Sequence, residues 1–187
     1  MADARPVGER LASPAKSTSR TQGLLRARTA EGCSGRPLLI GVGNDFAGDD
    51  AAGRLVARGL AGAVGLDVIE SHGSAADVVT AFEGRACVVL VDACRSGAAP
   101  GTLHRFDVTR DVLPGFLRSV SSHAIGLAEA VALARALEML PASCTIIAIE
   151  GADFSQGNGV TPAVGAAVRH LIATLPSKLR CSGGCFT

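Results

Sequence analysis

Several side chains capable of acid–base or metal chemistry fall where apolar runs of the chain stop. Asp49 and Asp50 follow the run from Pro37 to Gly43, and His72 follows Leu66 to Glu70. Asp92 closes the run Val88 to Val91, and His123 stands just before a long helical pattern. Two carboxylates and one imidazole form an oxygen and nitrogen donor set suited to a divalent ion such as Ni²⁺ or Zn²⁺. Three protein ligands with open positions suit catalysis better than structure. Each residue also has a plainer reading on spacing alone. Asp50 could offset the positive end of the helix that follows it, Asp92 could cap a turn, and His123 with Ser121 and Ser122 could open a helix. His72, His104 and His170 read as surface or internally satisfied residues rather than ligands.

The stretch LLIGVGNDFAGDD, Leu38 to Asp50, is the one the other residues must converge on. Gly41 and Gly43 fit the first two positions of the dinucleotide pattern G-x-G-x-x-G, but the third is Phe46, and two aspartates stand where a phosphate would lie. The turn therefore reads as a carboxylate-bearing site at the carboxyl end of a strand, the edge at which open α/β sheets hold ligands. Ser121 and Ser122 adjoin His123 only in sequence, which does not produce triad geometry. No G-x-S-x-G elbow is present.

The elements that would position these residues alternate in type. Strands are expected at Pro37 to Gly43, Leu66 to Glu70, Cys87 to Val91, Thr102 to Asp107 (an edge) and Cys144 to Glu150. Helices are expected at Ala51 to Leu60, Ala75 to Glu83, about Ala124 to Met139, and from Pro162 to about Leu175 with Thr161 as N-cap. Arg110 to Ser122 reads as an irregular loop. The alternation predicts an α/β fold, a three-layer sandwich on a mostly parallel five-stranded sheet. Residues 1–35 lack apolar periodicity and are expected to be a disordered extension. The α/β domain is expected over 36–176, with a flexible tail at 177–187.

At 187 residues the chain suits one domain, and 48% of it is apolar with 3% aromatic. The net charge of +1 is uneven. Residues 1–36 carry seven Lys/Arg and three Asp/Glu, and the rest carries 11 against 14. The globular part thus has no basic footprint for nucleic acid. No apolar run approaches the ~20 residues needed to span a bilayer. The six cysteines read as reduced thiols of a cytoplasmic protein, because two of them sit in expected buried strands and no signal peptide precedes them. Cys94, two residues after Asp92, reads as a small loop residue. Cys181 and Cys185 lie in a Gly/Ser tail.

The ordered set Gly41-Val-Gly-Asn44, Gly48-Asp-Asp50, Val91-Asp92-Ala93, Ser122-His123 and Gly126-Leu127 resembles the nickel–iron hydrogenase maturation endopeptidases. The turn Pro100-Gly101-Thr102 and the stretch Gly159-Val-Thr-Pro162 are similar to further parts of that family, and the likeness covers roughly residues 37–175. The resemblance implies a phosphorylase/hydrolase-like α/β/α fold and an endopeptidase that removes a short C-terminal extension from a hydrogenase large-subunit precursor after nickel insertion. It also implies that Asp50, Asp92 and His123 meet the nickel, which the substrate carries rather than the protease, with Gly43 and Asn44 shaping the turn. A monomer is expected, with neither membrane nor nucleic acid as partner. Asp50 replaces a common Glu, and Ser71-His72-Gly73-Ser74 replaces an Asp-Gly-Gly-Thr turn. A non-catalytic metal-binding or chaperone module for the same precursor would use the same ligands, and a different hydrolase on this fold is a third reading.

Overall fold

In a computed structural model of the chain, residues 35–118 and 127–181 are described. His123, Ser121, Ser122 and the expected N-terminal extension up to residue 34 lie outside the described residues, as do residues 182–187. Within the described part, the apolar runs Leu38–Val42 (β1), Cys87–Cys94 (β3) and Ser143–Glu150 (β5) form the buried centre of one sheet. Asp67–Ser71 (β2) and Leu103–Asp107 (β4) are its more exposed edges. The order is β2-β1-β3-β5-β4. All neighbours are parallel except β4, which runs antiparallel to β5. Continuous apolar strands are what burial on both faces requires.

Helices cover both faces. Ala52–Leu60 (α1) and Pro162–Cys181 (α4) pack together on one side, over Leu39, Val89, Val91, Ile147 and Ile149. Ala75–Ala81 (α2) and Leu127–Ala136 (α3) pack on the other, over Ile40, Val88, Leu90 and Ile146. The expected three-layer α/β/α sandwich is therefore present. Among the described residues no helix is long and apolar enough to cross a membrane. Cys94 and Cys144 are buried free thiols, and Cys87 is also buried.

Several boundaries differ from expectation, and a 3-10 turn over Gly115–Arg118 lies within the expected irregular loop; three of the differences are the most informative. The first helix is preceded by a 3-10 turn over Gly48–Ala51, which holds both aspartates. β3 does not end at Asp92. It continues to Cys94, because Asp92, Ala93 and Cys94 pair with Ala148, Ile149 and Glu150 of β5. Asp92 is thus a strand residue, and Cys94 is a buried strand residue rather than a loop residue. α4 runs through Pro176 to Cys181. A proline inside a helix loses a hydrogen bond, but Leu175 and Leu179, 1% and 3% exposed, anchor that last stretch in the core.

Gly53 lets α1 approach the sheet. A Cβ there would stand 2.2 Å from the Val91 carbonyl oxygen and 2.3 Å from that of Val42. Gly53→Ala should lower unfolding free energy by roughly 1–3 kcal/mol, the usual range for overpacking. Gly115→Ala, with nothing within 4 Å of its Cβ, should stay within about 0.5 kcal/mol of wild type. Urea unfolding monitored by circular dichroism measures both.

Candidate active site

The turn after β1 is held by backbone contact as much as by side chains. Gly43 has φ +143°, and a Cβ on it would lie 1.8 Å from the Asp50 carbonyl oxygen. Only glycine fits this close approach. The Asn44 N–H then donates to Asp50 Oδ2 at 3.0 Å, and the Asn44 side-chain oxygen accepts from the Phe46 N–H at 3.0 Å. Gly43 and Asn44 do shape the turn beside Asp50. Phe46, which spoils the dinucleotide pattern, is 76% exposed.

The two adjacent aspartates have different surroundings. Asp49 is fully buried. Its Oδ2 accepts from the N–H groups of Ala152 and Asp153 and from the Thr161 hydroxyl, and its Oδ1 accepts from the Thr161 N–H at 2.6 Å. The Asp49 N–H in turn donates to the Asp153 carbonyl at 2.8 Å. The Thr161 hydroxyl, expected as a helix cap, is used to bind Asp49 instead. Asp50 is only partly buried and receives one N–H, from Asn44. Burial raises its carboxyl above the ordinary value, and that hydrogen bond offsets part of the rise.

Asp92 projects from β3 two positions before Cys94, so the two share a face of the strand. Its one hydrogen bond is local, from the Ala93 N–H at 2.8 Å. Dense protein around the carboxyl, and then the nearby charge of Asp50, push it up to about 8. Asp50 raises the proton affinity of Asp92, and among the described residues no positive charge offsets the pair. That donor chemistry fits a divalent cation, or a proton shared in its place. The structure brings Asp50 and Asp92 together; the third expected ligand, His123, lies outside the described residues.

The remaining histidines are engaged elsewhere. The His72 ring lies against Arg54, with Nδ1 at 3.1 Å from Nη1, beside ion pairs that join Arg54 and Arg58 to Asp45 and Glu70. His170 is exposed on α4. His104 belongs to a cluster that sequence reasoning missed, centred on Glu150. This carboxylate, 1% exposed, accepts from the N–H groups of Ser96 and Gly97, the Ser96 hydroxyl and the Cys94 thiol. Burial alone would raise Glu150, but these donors outweigh it and hold the group at about 2. The signal was available: Glu150 ends an apolar strand just as Asp92 interrupts one. Cys94 is pushed far up by burial, by its hydrogen bond to Glu150 and by the charges of Glu150 and Asp92, which makes it a poor nucleophile.

Residues 58–177 match the hydrogenase maturation protease family HycI. This match spans well over half of the chain. The chain belongs to the hydrogenase maturation protease family. Its enzyme class is that of a processing endopeptidase. The matched part of the protease contains Asp92 and His123 and begins shortly after Asp50. No curated protein matches it. Its fold is similar to that of the hydrogenase maturating endopeptidase HybD of E. coli, at 22% identity and TM-score 0.63, covering 79% of this chain and 94% of the other. It is also similar to the [NiFe] hydrogenase maturation protease HybD of Thermococcus kodakarensis, at 23% identity and TM-score 0.60, covering 76% and 97%. A further likeness is to an E. coli endopeptidase solved in solution, at 21% identity and TM-score 0.65, covering 79% and 94%.

The carboxyl groups make opposite predictions for pH. Unfolded Asp titrates near ~3.9 but folded Asp92 at about 8. Between those values the folded protease holds a proton that the unfolded chain has lost, so its stability falls as pH rises through that window. For one proton the fall is at most ~1.4 kcal/mol per pH unit. In metal-free protein, Asp92→Asn should flatten it. Glu150 behaves oppositely. Its contribution is full above ~4.3 and is lost as pH falls toward the folded value of about 2. Glu150→Gln should therefore weaken the protease at neutral pH and blunt its acid sensitivity. Urea midpoints measured from about pH 2 to 9 test both signs. Asp49→Asn should cost roughly 2–4 kcal/mol at neutral pH, because charge assistance to four donors is lost and the new amide N–H₂ faces at least one of them.

Proposed function

We propose that the protease removes the C-terminal extension of a nickel–iron hydrogenase large-subunit precursor after nickel has been inserted. Asp50, Asp92 and His123 meet the substrate's nickel in this reading. The observation that carries it is the coupling of Asp92 to Asp50, with Asp92 held at about 8 by burial and by the charge of Asp50, in a chain of this family. A nickel ion brought in by the precursor supplies the positive charge that this pair lacks. Binding there releases the proton of Asp92, so recognition of the loaded substrate is coupled to ionisation of the site.

The chain's own residues then act on a positioned peptide. Asn44 holds Asp50 through its N–H, and β3 holds Asp92 in register with β5, so neither carboxylate needs to move when the substrate arrives. One of the two carboxylates accepts the proton of the attacking water, and the metal can polarise the scissile carbonyl. Cys94 takes no part as nucleophile, and Ser96 cannot form a triad with His104. The Ser96 hydroxyl and the Glu150 carboxylate both approach the same ring nitrogen, Nε2, whereas a triad uses the two nitrogens separately.

The purified protease should cleave nickel-loaded precursor and leave nickel-free precursor intact, as read by the mass of the large subunit. Asp92→Ala and Asp50→Ala should each reduce cleavage by at least about 100-fold, the scale expected for loss of acid–base assistance. Equal cleavage of the two precursor forms, or full activity in Asp92→Ala, would overturn the reading. Binding of the loaded precursor with no loss of the extension would favour a chaperone.

A further inference from the structure

The group formed by Cys94, His104 and Glu150 shares no residue with the proposed nickel-meeting set and contains three classes of metal donor. One donor atom from each lies within 4.8 Å of the other two. Cys94 Sγ is 3.3 Å from Glu150 Oε2, and His104 Nε2 is 3.2 Å from the same oxygen. Tetrahedral zinc with bonds of about 2.3 Å to sulfur and about 2.0–2.1 Å to nitrogen and oxygen separates neighbouring ligands by roughly 3.3–3.5 Å. The two edges that meet at Glu150 thus already have close to tetrahedral lengths, and the third, from Cys94 to His104, is within 4.8 Å.

We propose that Cys94, His104 and Glu150 bind one zinc ion, in a site separate from the Asp50–Asp92 pair. The fourth position falls to the Ser96 hydroxyl, which is 2.6 Å from Glu150 Oε2 and 3.2 Å from His104 Nε2, or to a water displacing it. Charge balances within the protein. Zn²⁺ replaces the Cys94 thiol proton, which goes to solvent, and the resulting thiolate and Glu150 carboxylate together carry two negative charges. His104 stays neutral, with its proton on Nδ1. The outer contacts are in place. Glu150 Oε1 is held by the N–H groups of Ser96 and Gly97, and the His104 ring packs on Phe116 at 5.6 Å. Such contacts orient ligands. The mixed sulfur, nitrogen and oxygen set favours zinc over a hard cation.

The three ligands come from three strands, Cys94 from β3, His104 from β4 and Glu150 from β5. Zinc would pin the antiparallel edge strand to the centre of the sheet at the end where Asp92 stands. Its role is structural.

The test uses the full chain, reduced and stripped of metal, titrated with Co²⁺ alone as a spectroscopic substitute and then with Zn²⁺. One equivalent should bind with tetrahedral ligand-field bands and a thiolate-to-cobalt charge-transfer band, and zinc should displace it. The charge-transfer band should be lost in Cys94→Ser, and the tetrahedral bands should be lost or moved in His104→Ala. The second variant changes a partly exposed residue, so it remains informative if Cys94→Ser fails to fold. Asp92→Asn and the double variant Cys181→Ser/Cys185→Ser should keep the whole spectrum. Absence of the bands in wild type would overturn the proposal, as would their loss in the tail-cysteine double variant or their survival in His104→Ala.

Discussion

The carboxylate of Asp49 is the contact on which the rest of the active edge depends. It lies fully buried and draws the backbone after β5 onto the turn after β1 with four hydrogen bonds. The two segments are about a hundred residues apart in sequence. Polar donors buried without partners would each cost about 1–3 kcal/mol. Asp49 satisfies them at once, and in doing so it fixes the 3-10 turn that carries Asp50.

This arrangement separates stability from chemistry between two adjacent residues of the same type. Asp49 is rich in donors and closed to solvent. Asp50 has a single N–H donor and remains partly open, and its charge acts on Asp92. The same contrast recurs on the neighbouring strands. Glu150 is surrounded by donors that hold it ionised, while Asp92 has only its local Ala93 N–H and is driven toward the protonated form. The sheet edge therefore places two satisfied carboxylates beside two frustrated ones. Frustrated groups of this kind mark functional sites, because stability alone would not retain them.

Much of the architecture was legible from the pattern of residues. The apolar runs at Leu38–Val42, Cys87–Val91 and Cys144–Glu150 could only be central strands, and the spacing of Val56 and Leu60 could only be a helix face. Element ends were less legible. The extension of β3 to Cys94 depends on pairing with β5, and that of α4 beyond Pro176 depends on the burial of Leu175 and Leu179. Local propensity contains neither term. The glycines of the first turn match only the first two positions of a phosphate-binding motif, and their use here is to let Asp50 and α1 approach the strands closely.

For the site itself, residue type and position along the chain determined that carboxylates gather at the carboxyl ends of parallel strands, and which family pattern they follow. Asp50 and Asp92 could be chosen that way because an ionisable group against an apolar run is conspicuous in one dimension. Only the tertiary structure decided that Asp49 is a clamp and that Cys94 is a strand residue beside Glu150. It likewise decided that His104, on an edge strand, meets Glu150 rather than solvent. Those roles arise from contacts across the sheet between segments 46 to 112 positions apart. A carboxylate's function is set by the donors and charges around it, and these are assembled only when the strands pair.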